Sequence, residues 1–132
     1  MHKILYKTTR LELKYLYETV YLSFLEKGKT VHLGDIYGDV LCGVISDDDD
    51  WAIAAGSSLI IWTPKKTEII QDARLSDVFA IRIVGKNTVN LLTDPWSDKA
   101  AVWEFNLLGK TFSKLYDFPN YINKPYTDII EW

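Results

Sequence analysis

The sequence has few of the residues that form disulfides or membrane-spanning segments, since its 132 residues include one cysteine, Cys42, and no long apolar run. A single thiol cannot form an internal disulfide, so a disulfide-stabilised scaffold is excluded. A helix that crosses a bilayer needs about 20 apolar residues, and no run comes near that length, which predicts no membrane association. The first residues contain no apolar core of signal-peptide length, so we expect a soluble, cytoplasmic protein.

Signatures of catalysis are also scarce. The sequence contains no glycine-rich phosphate loop and none of the Gly-x-Ser-x-Gly, His-Glu-x-x-His or Cys-x-x-Cys patterns of hydrolases and metal sites. Only two histidines are present, His2 and His32, and Cys42 lies in an apolar run typical of a buried strand. These absences predict a protein that is not an enzyme and uses no cofactor or metal. The alternative is a small β-sheet enzyme or ligand-binding protein with a pocket near His32 and Cys42.

What the chain does have is an ordinary globular composition with many aromatic residues. Hydrophobic residues make up 48%, charged residues 25% and aromatic residues 14% of the sequence, which argues against disorder. The length is that of one typical domain, so we expect a single domain over residues 1–132. The net charge of −3 predicts that nucleic acid is not a partner, because phosphate contacts need a basic face.

Short apolar segments separated by turn residues predict an all-β fold. Strands are indicated at residues 3–6, 30–33, 40–45, 51–55, 59–62, 67–70, 78–84, 88–92, 101–107 and 110–116. The short spacing between them predicts an antiparallel meander, arranged as a twisted sheet or a small sandwich. Hairpins that begin with a tryptophan-containing strand resemble blades of β-propellers. A closed four-bladed propeller needs about 160 residues, so the chain is too short for one.

The segment over residues 11–26 is ambiguous. Its apolar residues fit both a strand alternation and a helical stripe. Aromatic and β-branched side chains, the lack of alanine and the turn around Gly28 favour strands. The alternative is one N-terminal helix that Gly28 ends.

The negative charge is concentrated in one window. Residues 1–30 carry a net charge of +3, residues 31–60 a net charge of −6 and residues 61–132 none. The acidic residues of the middle window are Asp35, Asp39, Asp47, Asp48, Asp49 and Asp50. Four consecutive aspartates repel one another, which destabilises the folded chain unless water or a partner screens their charges. The run is therefore either a solvated turn or a docking surface for a cationic partner. A calcium site is disfavoured because Ala52 and Ser58 occupy the positions where an EF-hand loop needs glycine and glutamate.

The tryptophans divide into two groups. Trp51, Trp62 and Trp103 lie in predicted strands, and we expect them in the core. Trp96 lies in a polar loop, where it either plugs the loop onto the core or acts as an interface anchor. The C-terminal segment is expected to be an irregular wrap docked by Tyr121, Tyr126 and Trp132.

Residues 28–62 contain a Gly-Asp-Ile-Tyr-Gly-Asp loop that starts at Gly34, the acidic turn and the tryptophan-containing strands. With these features the segment resembles small bacterial immunity proteins, the antidotes encoded beside polymorphic or contact-dependent toxins. The resemblance implies a non-enzymatic domain that binds and neutralises a cognate toxin domain, a basic one such as a nuclease. The residues expected to bind that protein partner are Asp35, Asp39, Asp47, Asp48, Asp49, Asp50 and Trp96. The chain itself is expected to be a monomer or a weak homo-dimer.

Overall fold

The computed structural model describes residues 2–132 and contains twelve β-strands and two short 3-10 helices in that range. The strands are β1 (Lys3–Lys7), β2 (Leu11–Leu16), β3 (Thr19–Phe24), β4 (Lys29–Asp35), β5 (Cys42–Ile45), β6 (Ala52–Ala55), β7 (Leu59–Trp62), β8 (Thr67–Ile70), β9 (Val78–Gly85), β10 (Thr88–Thr93), β11 (Ala101–Asn106) and β12 (Thr111–Asp117). The 3-10 helices are Ala73–Leu75 and Pro119–Tyr121. The all-β prediction is confirmed, and the ambiguous N-terminal segment is the hairpin of β2 and β3.

The meander is divided into three antiparallel four-stranded sheets that follow one another along the chain. Sheet 1 has the order β1-β2-β3-β4, sheet 2 the order β5-β6-β7-β8, and sheet 3 runs from β9 to β12 in the same way. Strand β5, the first strand of sheet 2, contacts the first strands of both other sheets, β1 and β9. The sheets therefore stack side by side along their first strands, with sheet 2 in the middle.

The central strands of sheet 2, β6 and β7, are buried on both faces, which explains why they are continuous apolar runs. Ala52 and Ala54 of β6 pack in a core cluster with residues of sheet 1, such as Leu13. Ile53 and Ala55 point the other way, into a second cluster with residues of sheet 3. Side chains alternate between the faces of a strand, so a strand covered on both sides has no place for a polar residue.

The C-terminal segment covers the outer face of sheet 3. A third cluster forms around Leu92 and Val102 of that sheet, with Phe118, Tyr121 and Trp132 of the segment packed on them. The guanidinium of Arg82 lies 4.0 Å from the centre of the Trp132 ring, a cation–π contact. The predicted docking of this segment through its aromatic residues is confirmed.

Because each sheet is a meander, its connections alternate between two ends of the stack. The connections β2–β3, β4–β5, β6–β7, β8–β9 and β10–β11 lie at one end, and the remaining hairpin turns lie at the other. Hydrogen bonds join the sheets at both ends. The amide of Val78 donates to Gly56 at the first end, and Trp51 Nε1 donates to the carbonyl of Lys86 at the second. Within the described residues, no helix has the length and apolar character needed to cross a membrane.

Candidate functional site

The two ends of the stack differ in charge. Among the connections and the terminal residues of strands β1–β12, the first end carries eight carboxylates and three cations, and we call it the acidic end. Its carboxylates are Glu18, Asp35, Asp39, Asp72, Asp77, Asp94, Asp98 and Asp117, and its cations are Lys3, Arg74 and Lys99. The second end, the basic end, carries five carboxylates and eight cations. The fold thus gathers at one end carboxylates that are scattered along the sequence from Glu18 to Asp117.

Asp47, Asp48, Asp49 and Asp50 form the turn between β5 and β6, at the basic end. Ser46 closes this turn, since its Oγ accepts a hydrogen bond from the amide of Asp50 at 2.9 Å. Asp49 Oδ2 lies 3.0 Å from Nε of Arg10, and only 10% of the Asp49 side chain is exposed. Lys86 shares a surface recess with Asp47 and Asp48. The aspartate run is therefore partly balanced by cations of its own chain.

Asp35 and Asp39 lie at the acidic end, where β4 leads into β5. Thr19 Oγ1 donates to Asp35 Oδ1 at 2.8 Å, and His32 Nε2 lies 3.5 Å from the same oxygen. The Thr19 hydrogen bond first, and His32 second, hold the pKa of Asp35 below its usual value. The carboxylate of Asp35 is thus ionised throughout the neutral range and remains exposed to solvent.

The structure does not bring the six predicted aspartates together. Strand β5 separates the two groups, and its four residues span about 13 Å at 3.3 Å per residue. The sequence window from Asp35 to Asp50 joins them only because the chain crosses from one end to the other within it. The sequence predicts one docking surface that contains all six aspartates, whereas the structure has two separate groups. Asp35 and Asp39 lie in an acidic environment, and the run from Asp47 to Asp50 lies among charges of both signs.

Trp96 lies in the β10–β11 connection at the acidic end, and its ring is packed within its own chain. Its centre is 5.2 Å from that of Phe79 and 4.9 Å from that of Tyr126. Of the two interpretations of Trp96 drawn from the sequence, this geometry matches the one in which its side chain packs the loop against the rest of the chain. Trp51 and Trp62 are buried, as expected. Trp103 is half-buried and packs against the core cluster between sheets 2 and 3.

His32 and Cys42 do not form a joint site. His32 lies on β4 of sheet 1 with its ring against Tyr21, whereas Cys42 packs in the cluster between sheets 2 and 3. Cys42 Sγ lies 3.6 Å from the carbonyl oxygen of Val78, and burial raises the pKa of the thiol. Cys42 is a protonated packing residue. Within residues 2–132, no three side chains of the metal-ligating types come together.

Two exposed tyrosines at the acidic end were not singled out from the sequence. Tyr17 occupies the two-residue turn between β2 and β3, and Tyr37 lies in the β4–β5 connection. Each is 85% exposed, although tyrosine usually buries most of its ring. No sequence signal marks Tyr17, because its turn contains no glycine, proline or asparagine. Tyr37 has one, since it stands between Ile36 and Gly38 in a loop whose glycines indicate a shaped backbone.

Gly56 explains how the acidic end is held together. A Cβ atom at this position would overlap the carbonyl oxygen of Asp39, so only glycine allows the β6–β7 turn to approach the β4–β5 connection so closely. Ser57 Oγ then donates to the carbonyl oxygen of Tyr37 at 2.7 Å. The connections of sheets 1 and 2 are thus fixed against each other.

A search among models of protein families and a search among curated proteins both found no match for this chain.

Proposed function

We propose that the chain is a non-enzymatic protein-binding module of the immunity-protein type, which binds a cationic toxin domain and neutralises it through the acidic end. The observation that supports this most is the separation of charge between the two ends. A face with a surplus of carboxylates attracts a basic protein and orients it during encounter. The proposal includes a cytoplasmic location, as expected of an antidote that protects the cell that makes it.

The acidic end is suited to binding because it is both charged and held in place. Its loops emerge from a stack of three sheets, and side-chain hydrogen bonds such as Thr19 to Asp35 and Ser57 to Tyr37 fix them. A surface that is already ordered loses little conformational entropy on binding. The same end continues over sheet 3, where a recess of about 460 Å³ is lined by four aspartates and three cations, namely Asp77, Asp94, Asp98, Asp117, Arg74, Lys99 and Lys114.

The proposal assigns the aspartate run of the β5–β6 turn a lesser part. Asp49 is engaged by Arg10, and Lys86 lies beside Asp47 and Asp48, so a cationic partner would meet a partly neutralised surface there. Asp35 and Asp39 lie among further carboxylates instead. We therefore propose the partner surface around Asp35 and Asp39.

A matched pair of charge reversals tests this proposal. The double variant Asp39→Lys with Asp98→Lys changes two exposed residues at the acidic end, and Asp47→Lys with Asp48→Lys makes the same charge change at the basic end. The partner in this assay is the toxin domain encoded in the neighbouring reading frame. The rate at which it associates with each variant is measured by stopped flow at several salt concentrations. We expect the first variant to associate about tenfold more slowly at low salt, and the second much less so.

Equal rates for the two variants would contradict the assignment of the acidic end. Failure of the wild-type chain to bind the toxin domain, or binding without inhibition of the toxin, would contradict the proposed function as a whole. Melting temperatures of both variants serve as the control, because exposed aspartates changed to lysine alter stability only slightly.

A further inference from the structure

We infer that Tyr17 and Tyr37 form the anchor of the partner surface, and that they receive an arginine-rich segment of the partner protein. This inference rests on the proposed function, since it names the chemistry that the acidic end recognises. It commits to one occupant, a cationic polypeptide whose guanidinium groups lie on the tyrosine rings and face the carboxylates around them.

The first observation is the exposure of the two rings. Tyr17 and Tyr37 are each 85% exposed, whereas Tyr6 and Tyr15 of the same sheet pack against the core cluster. Exposed aromatic side chains surrounded by polar groups are characteristic of binding hot spots, because they bury a large area and have few rotatable bonds. No side chain among residues 2–132 covers either ring.

The second observation is that the two turns are tied to each other. Glu18, the neighbour of Tyr17, accepts through its Oε2 a hydrogen bond of 2.5 Å from the amide of Gly38, the neighbour of Tyr37. The carbonyl of Glu18 also accepts a bond of 2.8 Å from the amide of Ile36. The tyrosines are therefore presented by one connected backbone and do not move as two independent loops.

The third observation is the charge around the ring of Tyr17. A recess of about 530 Å³ beside Tyr17 is lined by Glu18, Thr19, Asp35, Gly38 and Asp39. Three of its lining residues are carboxylates, and none is a cation. Tyr17 also lines a neighbouring recess together with Lys3, Asp39 and the exposed side chain of Leu41. The ring of Tyr17 thus borders an acidic recess and a second recess of mixed character.

Charge complementarity selects the occupant. A guanidinium group is planar, stacks on an aromatic face and donates two parallel hydrogen bonds to a carboxylate. Lysine offers a compact ammonium that is more strongly hydrated and stacks less well. A surface that combines tyrosine faces with carboxylates therefore favours arginine over lysine and repels acidic segments.

The test titrates the isotopically labelled full chain with three peptides, hexa-arginine, hexalysine and hexaglutamate, and follows backbone amide shifts by NMR. We expect saturable shifts with hexa-arginine, centred on residues 17–19 and 35–39, weaker binding of hexalysine and none of hexaglutamate. Shifts centred on the Asp47–Asp50 turn, equal binding of the two cationic peptides, or the absence of saturation would overturn the inference.

Two variants measure how much the rings of Tyr17 and Tyr37 contribute to hexa-arginine binding. Tyr17→Ala with Tyr37→Ala is expected to weaken hexa-arginine binding by about fourfold or more, since each exposed cation–π contact contributes roughly a factor of two to five. Tyr116→Ala removes a half-exposed tyrosine from β12 and should bind as the wild type does. Unchanged affinity in the double variant overturns the inference.

The outcome is separable from that of the proposed function. If the toxin domain binds and the charge reversals slow it, while the tyrosine variants bind hexa-arginine and toxin normally, the function stands and the anchor does not. If hexa-arginine seats on the tyrosines but the toxin domain is neither bound nor inhibited, the anchor stands and the function fails.

Discussion

At the residue scale, Asp72 shows how one carboxylate can organise a connection. Its Oδ1 accepts hydrogen bonds from the backbone amide of Arg74 at 2.9 Å and from the side-chain Nε at 3.0 Å. Its Oδ2 accepts another from the Arg74 guanidinium at 2.9 Å. These hydrogen bonds, chiefly those from the Arg74 side chain, lower the pKa of Asp72 to about 2. The residue thereby caps the short helix Ala73–Leu75 in the β8–β9 connection.

This lowered pKa predicts a pH-dependent contribution to stability. In the unfolded chain Asp72 titrates near 3.8, so its contribution is fully present above that pH and is lost as the pH falls towards 2. We expect Asp72→Asn to melt at a lower temperature than the wild type at neutral pH. The difference between the two melting temperatures should shrink between about pH 4 and pH 2, as thermal scans at each pH would show.

The comparison with Asp72→Asn isolates this residue, because the other carboxylates with lowered pKa, Asp35 and Glu68, are present in both proteins. A melting-temperature difference that stays constant across this range would mean that the ion pair with Arg74 contributes nothing beyond the helix cap.

At the scale of elements, the C-terminal segment depends on few side chains. Trp96 links this segment to the β10–β11 connection through its ring contacts with Tyr126 and Phe79. A second link is the hydrogen bond of 2.8 Å from the amide of Phe118 to the carbonyl oxygen of Ala100. The rest of the segment is held through the third core cluster and through Arg82 on Trp132. Contacts of this kind are local, so they can open without unfolding the sheets.

Trp96→Ala is therefore expected to loosen the segment while leaving the sheets intact. Amide hydrogen exchange should accelerate over residues 119–132 and remain unchanged in β6 and β7, measured by mass spectrometry on peptides. Tyr116→Ala is the control, since that exposed residue belongs to neither aromatic contact. Acceleration throughout sheet 3, or none in the segment, would contradict a purely local role for Trp96.

The elements that could be predicted from the sequence are those with local turn chemistry. Pro64 after β7 and the Gly85-Lys86-Asn87 turn after β9 mark their hairpins, and both strand pairs form there. The turn between β2 and β3 carries no such residue, and Tyr17 adopts a φ of 55° there, a conformation more typical of glycine or asparagine. Pairing with β1 and β4 imposes the turn, and that information is not local.

At the scale of the whole molecule, sheet 2 couples the two others. Its side chains alternate between the cluster shared with sheet 1 and the cluster shared with sheet 3. Neither outer sheet can bury its inner face without it. We therefore expect the three sheets to unfold together, as one domain over residues 1–132 would.

Two core truncations test this cooperativity. Leu13 and Leu91 are fully buried in the first and second clusters respectively. Leu13→Ala and Leu91→Ala should each lower the free energy of unfolding by about 2–5 kcal/mol and shift one shared transition. Urea unfolding is followed by circular dichroism for all strands and by tryptophan fluorescence for the cores. Two separate transitions in either variant would show that the sheets behave as independent units.

The charge separation could not be predicted from the sequence for a topological reason. Residues 61–132 carry no net charge, yet the chain sends Asp72, Asp77 and Asp94 to one end and Lys66, Lys86 and others to the opposite end. Conversely, the conspicuous run from Asp47 to Asp50 sits among cations. Only the number and order of the strands decide to which end each turn belongs, and a missed turn such as that at Tyr17 reverses the assignment.

The separation of the eight-carboxylate end from the eight-cation end gives the molecule a permanent electric dipole that runs along its strands. In dilute buffer such a dipole experiences a torque in the field of any charged neighbour, and it turns before contact is made. Two copies in concentrated solution would align head to tail, and added salt would abolish that alignment.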